Sequence, residues 1–138
     1  MGAVKSFEEL TIWQLSRDFC KDIFRITNYE QFSKDFSLKD QIKSSSGSIM
    51  DNIAEGFERN GNKEFTQFLY IAKGSCGEAR SQLYRALDFK YIAEEEFNIL
   101  KQRTIQLSSS IGSFIKYLKQ SELTGIKYKQ SSPHPSKP

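Results

Sequence analysis

Residues 48–75, SIMDNIAEGFERNGNKEFTQFLYIAKGS, gather side chains that catalysis and binding both use. Asn52, Glu55, Arg59, Glu64, Gly74 and Ser75 sit inside or beside apolar stripes of helical period. Place each stripe on a wheel of about 100° per residue. With Ile49 facing the core, Gln41, Ser48, Asn52, Glu55 and Arg59 share one flank. With Ala72 facing the core, Glu64, Ile71, Glu78 and Gln82 share the flank of the same rotational sense. Antiparallel neighbours bring such flanks together or turn both away. The reading is a structural polar seam of Asn52, Glu55, Arg59, Glu64 and Glu78, with Arg59 and Glu64 closest across the turn. On that reading Arg59→Ala costs about 1–3 kcal/mol, by leaving a partly buried carboxylate unpaired. A subunit contact and a catalytic role are the alternatives.

A second stripe runs along the later part of this stretch. Tyr70, Lys73, Gly77, Arg80 and Tyr84 step by three and four residues, about 80–160° from the core direction. Cations with aromatics beside them suit phosphate contact plus base stacking. Tyr70, Lys73, Arg80 and Tyr84 are therefore the candidate nucleic-acid-binding residues. A solvated face or an oligomer contact is the plainer reading. Gly74 and Gly77 interrupt the same helix, each at a cost of about 1 kcal/mol against alanine. Close approach of another backbone, in this chain or a partner, would offset it.

Enzyme chemistry finds little to work with. The sole histidine, His134, lies in a polar tail, so no Ser/His/Asp or Cys/His set assembles. The Glu-x-x-His pairs of di-iron bundles are missing. GSCG falls within a helical period and is no phosphate loop. A carboxylate-only metal site from Glu55, Glu64 and Glu78 is conceivable, but the expectation is no metal, no cofactor and no enzyme. Cys20 and Cys76 lie in helical patterns without CxxC spacing, as free thiols of a reducing cytoplasm do. No segment reads as a signal peptide, and no apolar run approaches the ~20 residues that span a bilayer. A cytoplasmic protein with no membrane association is expected.

These residues must be carried by helices. The chain has 138 residues, enough for one domain with its own core. Three prolines against eleven phenylalanines favour long helices over broken ones. The first helix spans about Thr11 to Thr27, N-capped by Thr11, on a stripe of Trp13, Ser16, Cys20, Ile23 and Thr27. Phe19 and Phe24 widen it, and Ile12 and Ile26 stay outside. A loop follows at NYEQFSKDFS. The second helix starts after Ser37 and buries Leu38, Ile42, Ser45, Ile49, Ile53 and Phe57. In RNGN, Gly61 suits a left-handed cap and Asn62 the next N-cap. The third helix buries Phe65, Phe68, Leu69, Ala72, Cys76, Ala79, Leu83 and Ala86, and ends near Phe89 or Lys90. The fourth opens at AEEE, where the helix dipole favours carboxylates. It buries Phe97, Leu100, Thr104, Leu107, Ile111, Phe114 and Leu118, and closes near Gln120. Strand patterns are absent. The expected fold is all-α, an up-down-up-down antiparallel four-helix bundle over residues 1–121, with 122–138 a disordered tail. The net charge is +3; the tail carries three lysines against Glu122, which leaves the body at +1. Global charge alone does not announce a nucleic-acid binder.

FEELTIWQLSRDFCKDIFRIT, LKDQIKSSSGSIMDNIAEGFERNGNKEFTQFLYIAKGSCGEARSQL and ALDFKYI together resemble the four-helix-bundle proteins encoded in 23S rRNA intervening sequences. The resemblance covers about residues 7 to 118. Its most specific part is SI..NIAEG..R....EF..FL.IA.GS..E, here Ser48 through Glu78. It implies a bundle and a homopentameric ring around a central channel. It also implies a distant relation to the accessory proteins of diversity-generating retroelements, which bind nucleic acid and a reverse transcriptase through a basic surface. No enzymatic activity attaches to the family. QIKSSSGSI departs from it, with serines where relatives tend to carry arginine and alanine. The function expected is a non-enzymatic oligomeric accessory that binds RNA weakly. The alternative is a structural oligomer or protein-interaction adaptor.

Overall fold

A computed structural model of the chain describes residues 4–128, with side chains over 4–121. A 3-10 turn at Phe7–Glu9 leads into five helices: α1 (Thr11–Thr27), α2 (Glu30–Lys34), α3 (Phe36–Glu58), α4 (Asn62–Asp88) and α5 (Glu94–Tyr128). No strand occurs among the described residues. No helix there is long and apolar enough to cross a membrane. The helix expected to close near Gln120 runs on to Tyr128. Residues 129–138, with His134, Lys129 and Lys137, lie outside the described residues.

The core stripe of α1 differs from the expected one. Ile12, Ser16, Phe19, Ile23 and Ile26 are buried, while Trp13 and Cys20 are only half-buried and Phe24 is 61% exposed. The true stripe is turned about 60° on the wheel from the expected one. Two hydroxyls made the misjudged stripe look continuous. Ser16 and Thr27 are both buried, each donating to a carbonyl one turn back, at 2.6 and 2.7 Å. Ile12 and Ile26, expected on the surface, belong to the core because α1 packs against both α3 and α5. The helix is capped by Leu10, and Thr11 is its first residue.

The expected loop after α1 holds α2, a helix of five residues anchored by the fully buried Phe32. Phe32 stacks on Tyr91 at 5.1 Å between ring centroids. The cap of α3 is Asp35 and not Ser37. Its carboxylate accepts from Leu38 N–H at 3.0 Å and from the Tyr91 hydroxyl at 2.8 Å. These two bonds hold the Asp35 carboxyl below the usual carboxylate range, the backbone donor acting most strongly. Asp35 has the tertiary partner that Ser37 lacks.

Between α3 and α4 the turn also departs from the expected caps. Gly61 adopts φ 156°, ψ 143°, an extended conformation at positive φ rather than the left-handed cap, and it stands as the N-cap of α4. Asn62 is the first helical residue and is buried. The close approach of helices falls at Gly56. A Cβ there would stand 2.7 Å from Phe68 Cβ and 2.9 Å from Phe65 Cδ1. At Gly74 and Gly77 a Cβ would meet nothing within 4 Å, so neither glycine is explained by packing within the chain.

Along α3 the polar partners on α4 descend as α3 ascends. Gln41 meets Arg85, Ser45 meets Gln82, and Ser48 meets Ser75. In the same way Tyr84 meets Lys101 and Tyr70 meets Lys119 across α4 and α5. Asp22 pairs with Arg103 and Arg25 with Glu96 across α1 and α5. The interior is filled by fully buried side chains from each long helix, among them Phe19, Ile49, Leu69, Leu83, Leu100 and Ile111. Burial at this density is what holds long amphipathic helices of modest propensity together.

Candidate nucleic-acid interface

The polar flank of α3 meets that of α4 through uncharged side chains. Ser45 donates to Gln82 Oε1 at 2.6 Å, and both residues are buried. Ser75 and Ser48 share a hydrogen bond of 2.9 Å, and Asn52 donates to Ser48 at 2.9 Å. Of the five residues expected in the seam, only Asn52 joins this network. The expected contact of Arg59 with Glu64 is corrected. Arg59 turns back onto Glu55, one helical turn earlier, at 2.9 Å, and lies over the Phe68 ring at 5.1 Å. Both charged groups of that pair are about half-exposed. Glu64 and Glu78 are exposed as well. Charged side chains on these flanks stay in water, where their ionised groups keep their hydration, and the uncharged serine and glutamine groups pair between the helices. Glu55, Glu64 and Glu78 do not gather: no group of three metal-capable side chains forms among the described residues.

Among the serines of QIKSSSGSI, Ser45 is buried as its place in the stripe predicts, and Ser46 was the missed signal. Ser45 and Ser46 are buried at helical spacing from Ile42 and Ile49. The Ser46 carbonyl accepts from Cys20 Sγ at 3.2 Å. Burial raises the Cys20 thiol, and it pushes Cys76 up to about 12.

The second stripe lies on the flank of α4 that faces α5. Tyr70 is 50% exposed, Lys73 and Tyr84 are exposed, and Arg80 is half-buried. The neighbouring helix adds cations to each aromatic. Lys119 Nζ donates to the Tyr70 hydroxyl at 2.7 Å and lies 5.1 Å from its ring centroid. Lys101 lies 5.5 Å over the Tyr84 ring, and that ring packs edge-on against Phe97 at 4.8 Å. Tyr84 is thus partly structural. Lys116 stands beside Lys73 and Lys119 in a cleft of about 420 Å³. The face is cationic because α5 carries no carboxylate from Phe97 to Ser121, and α4 carries none between Glu64 and Glu78. No ion pair among the described residues engages Lys73, Arg80, Lys101, Lys116 or Lys119. Reading α4 alone finds half of this face; the carboxylate-free run of α5 was visible in the sequence, but its position beside Tyr70 and Tyr84 was not.

At the start of the same flank, Asn62 and Thr66 precede Tyr70 at intervals of four residues. Both are buried, and the Asn62 amide and the Thr66 hydroxyl have no hydrogen-bond partner.

No curated protein matches the chain. Among solved structures, it is similar to a protein of unknown function from the S23 ribosomal protein family of Bacteroides thetaiotaomicron. The two share 25% identity and a TM-score of 0.71, over 77% of this chain and 99% of that one. The sequence profile of the 23S rRNA-intervening sequence protein family matches residues 8–113, from the 3-10 turn to beyond the middle of α5. The matched residues include α3, α4 and the Gly56 crossing between them, so the chain belongs to the 23S rRNA-intervening sequence protein family.

Proposed function

We propose that the four long helices form an up-down-up-down antiparallel bundle, and that the protein is a non-enzymatic, oligomeric accessory that binds RNA weakly. The descending partner pairs between α3 and α4, between α4 and α5, and between α1 and α5 support that topology. One observation carries the function: the carboxylate-free face of α4 and α5, where Lys73, Arg80, Lys101, Lys116 and Lys119 accompany Tyr70 and Tyr84. Cations there contact phosphates, and an exposed tyrosine offers a stacking surface. One subunit with a body charge of +1 binds feebly. Copies in a ring repeat the face, and avidity raises the affinity of the assembly.

Titration of labelled single-stranded RNA at two salt concentrations tests this. Two or three phosphate contacts predict about a tenfold loss between roughly 50 and 200 mM salt. Lys73→Glu/Arg80→Glu should abolish binding while the oligomer stays intact. Absence of binding at low salt, or equal binding by the variant, sinks the reading.

A second reading is favoured by the packing of Tyr84 on Phe97 and by the open helix surface at Gly74 and Gly77. On it the same face meets another protein, either a neighbouring subunit or a partner such as a reverse transcriptase. Binding to a partner that survives high salt, with no RNA binding, would select it.

A further inference from the structure

We propose that the cleft between α4 and α5 is a subsite for a phosphate monoester, presented either as the terminal phosphate of an RNA strand or as a free mononucleotide. The proposal rests on the RNA-binding reading for the first source only.

The cleft has a volume of about 420 Å³ and is lined by Tyr70, Lys73, Gly112, Lys116, Lys119 and Gln120. Three lysines line this one small space together with Ile115, and no carboxylate does. Like charges gathered on one cleft repel one another, and an anion bound there relieves that repulsion. Charge count selects the ligand. An internal phosphodiester brings a single negative charge. A phosphate monoester brings close to two at neutral pH, with three acceptor oxygens in place of two. Three lysines match the monoester better.

The cleft is also partly built. Lys119 is held in place by its hydrogen bond to the Tyr70 hydroxyl, which removes some of the rotamer freedom a surface lysine would lose on binding. Gly112 lets the Lys73 stem lie flat across α5: a Cβ there would meet Lys73 Cε at 3.3 Å. The exposed part of the Tyr70 ring stands at the edge of the cleft, where the base attached to the phosphate can stack. Gln120 adds an uncharged polar residue to the lining.

Two arms test the site on the full chain. The first follows backbone amide NMR shifts on titration with adenosine 5′-monophosphate, with adenosine as the control. Saturable shifts at Tyr70, Gly112 and Lys119 with the monophosphate, absent with adenosine, are expected. They should be lost in Lys116→Ala/Lys119→Ala, whose two lysines are exposed and whose folding is checked by its thermal melt. No saturable shift at millimolar ligand, or shifts that persist in the variant, overturns the proposal. The second arm compares one RNA sequence carrying a 5′-phosphate or a 5′-hydroxyl. Preference for the phosphorylated strand by roughly tenfold, abolished in the same variant, supports a strand-end site. Equal binding of both strands overturns the strand-end source while RNA binding stands. A first arm that succeeds with neither RNA bound supports the mononucleotide source and removes the RNA reading alone.

Discussion

At Gly56 the side chain is a single hydrogen because α4 leaves no room for more. Gly56→Ala would press a methyl against Phe68 Cβ, an atom fixed to the helix backbone and unable to swing aside. Overpacking of this kind costs about 1–3 kcal/mol, and urea unfolding of the variant should show a loss in that range. Gly74→Ala meets open space on its own chain. There the helix propensity of alanine should stabilise an isolated subunit by up to about 1 kcal/mol. A loss of stability instead would place a second copy against that surface. Arg59→Ala, expected from the sequence to be costly, should cost under about 1 kcal/mol, because an exposed i,i+4 pair and one cation–π contact are all it removes. Thr66→Val removes a buried hydroxyl that has no partner. Its melting temperature should match or exceed that of the parent, since the desolvation penalty disappears with the group.

At the scale of elements, the join between α2, α3 and the segment before α5 depends on Asp35. The carboxylate caps α3 and accepts from Tyr91, whose ring covers Phe32. Asp35→Ala should therefore cost about 1 kcal/mol, the usual worth of an N-cap. The pH dependence has a definite sign. The folded-state pKa lies below the ordinary value of about 4. The unfolded chain takes up the proton first as acid is added. The contribution is complete above about pH 4 and fades as pH falls through the lower folded value. Asp35→Asn keeps one capping oxygen but cannot ionise, so it should lose this contribution at pH 7 and flatten the acid limb of the stability curve below about pH 4. An unchanged acid limb would remove Asp35 from the account. Five residues are too few for α2 to display a helical period, which is why its sequence read as loop.

For the whole molecule the decisive quantity is the number of subunits. A symmetric oligomer, a pentamer by family resemblance, is the expected solution state. A ring needs a head-to-tail interface that closes on rotation. Large apolar groups remain on the surface of the single chain: Phe24, Phe36, Ile71, Phe89 and Ile99 are each about half-exposed or more. Burying them between subunits is the favourable term such a ring would use. Light scattering after size exclusion should give a mass several times 15.9 kDa at micromolar concentration. A monomer mass would contradict it.

Helix existence was legible in the chain itself, because apolar residues spaced three and four apart in α3, α4 and α5 permit no other regular structure. Leu38, Ile42, Ile49 and Ile53, or Leu69, Ala72, Cys76 and Leu83, are buried as their spacing predicts. The polar flank shared by α3 and α4 was legible in direction but not in membership. A wheel gives the angle of a Cβ and says nothing of what burial costs the group it carries. The uncharged Ser45 and Gln82 bond to each other between the helices, while the charged Arg59, Glu64 and Glu78 stay in water. The rotation of α1 and the capping of α3 by Asp35 were settled by contacts between segments far apart in sequence. So was the meeting of Lys73 with Lys116 and Lys119. A local pattern records which residues share a face of one helix, and only packing decides which second helix that face will meet.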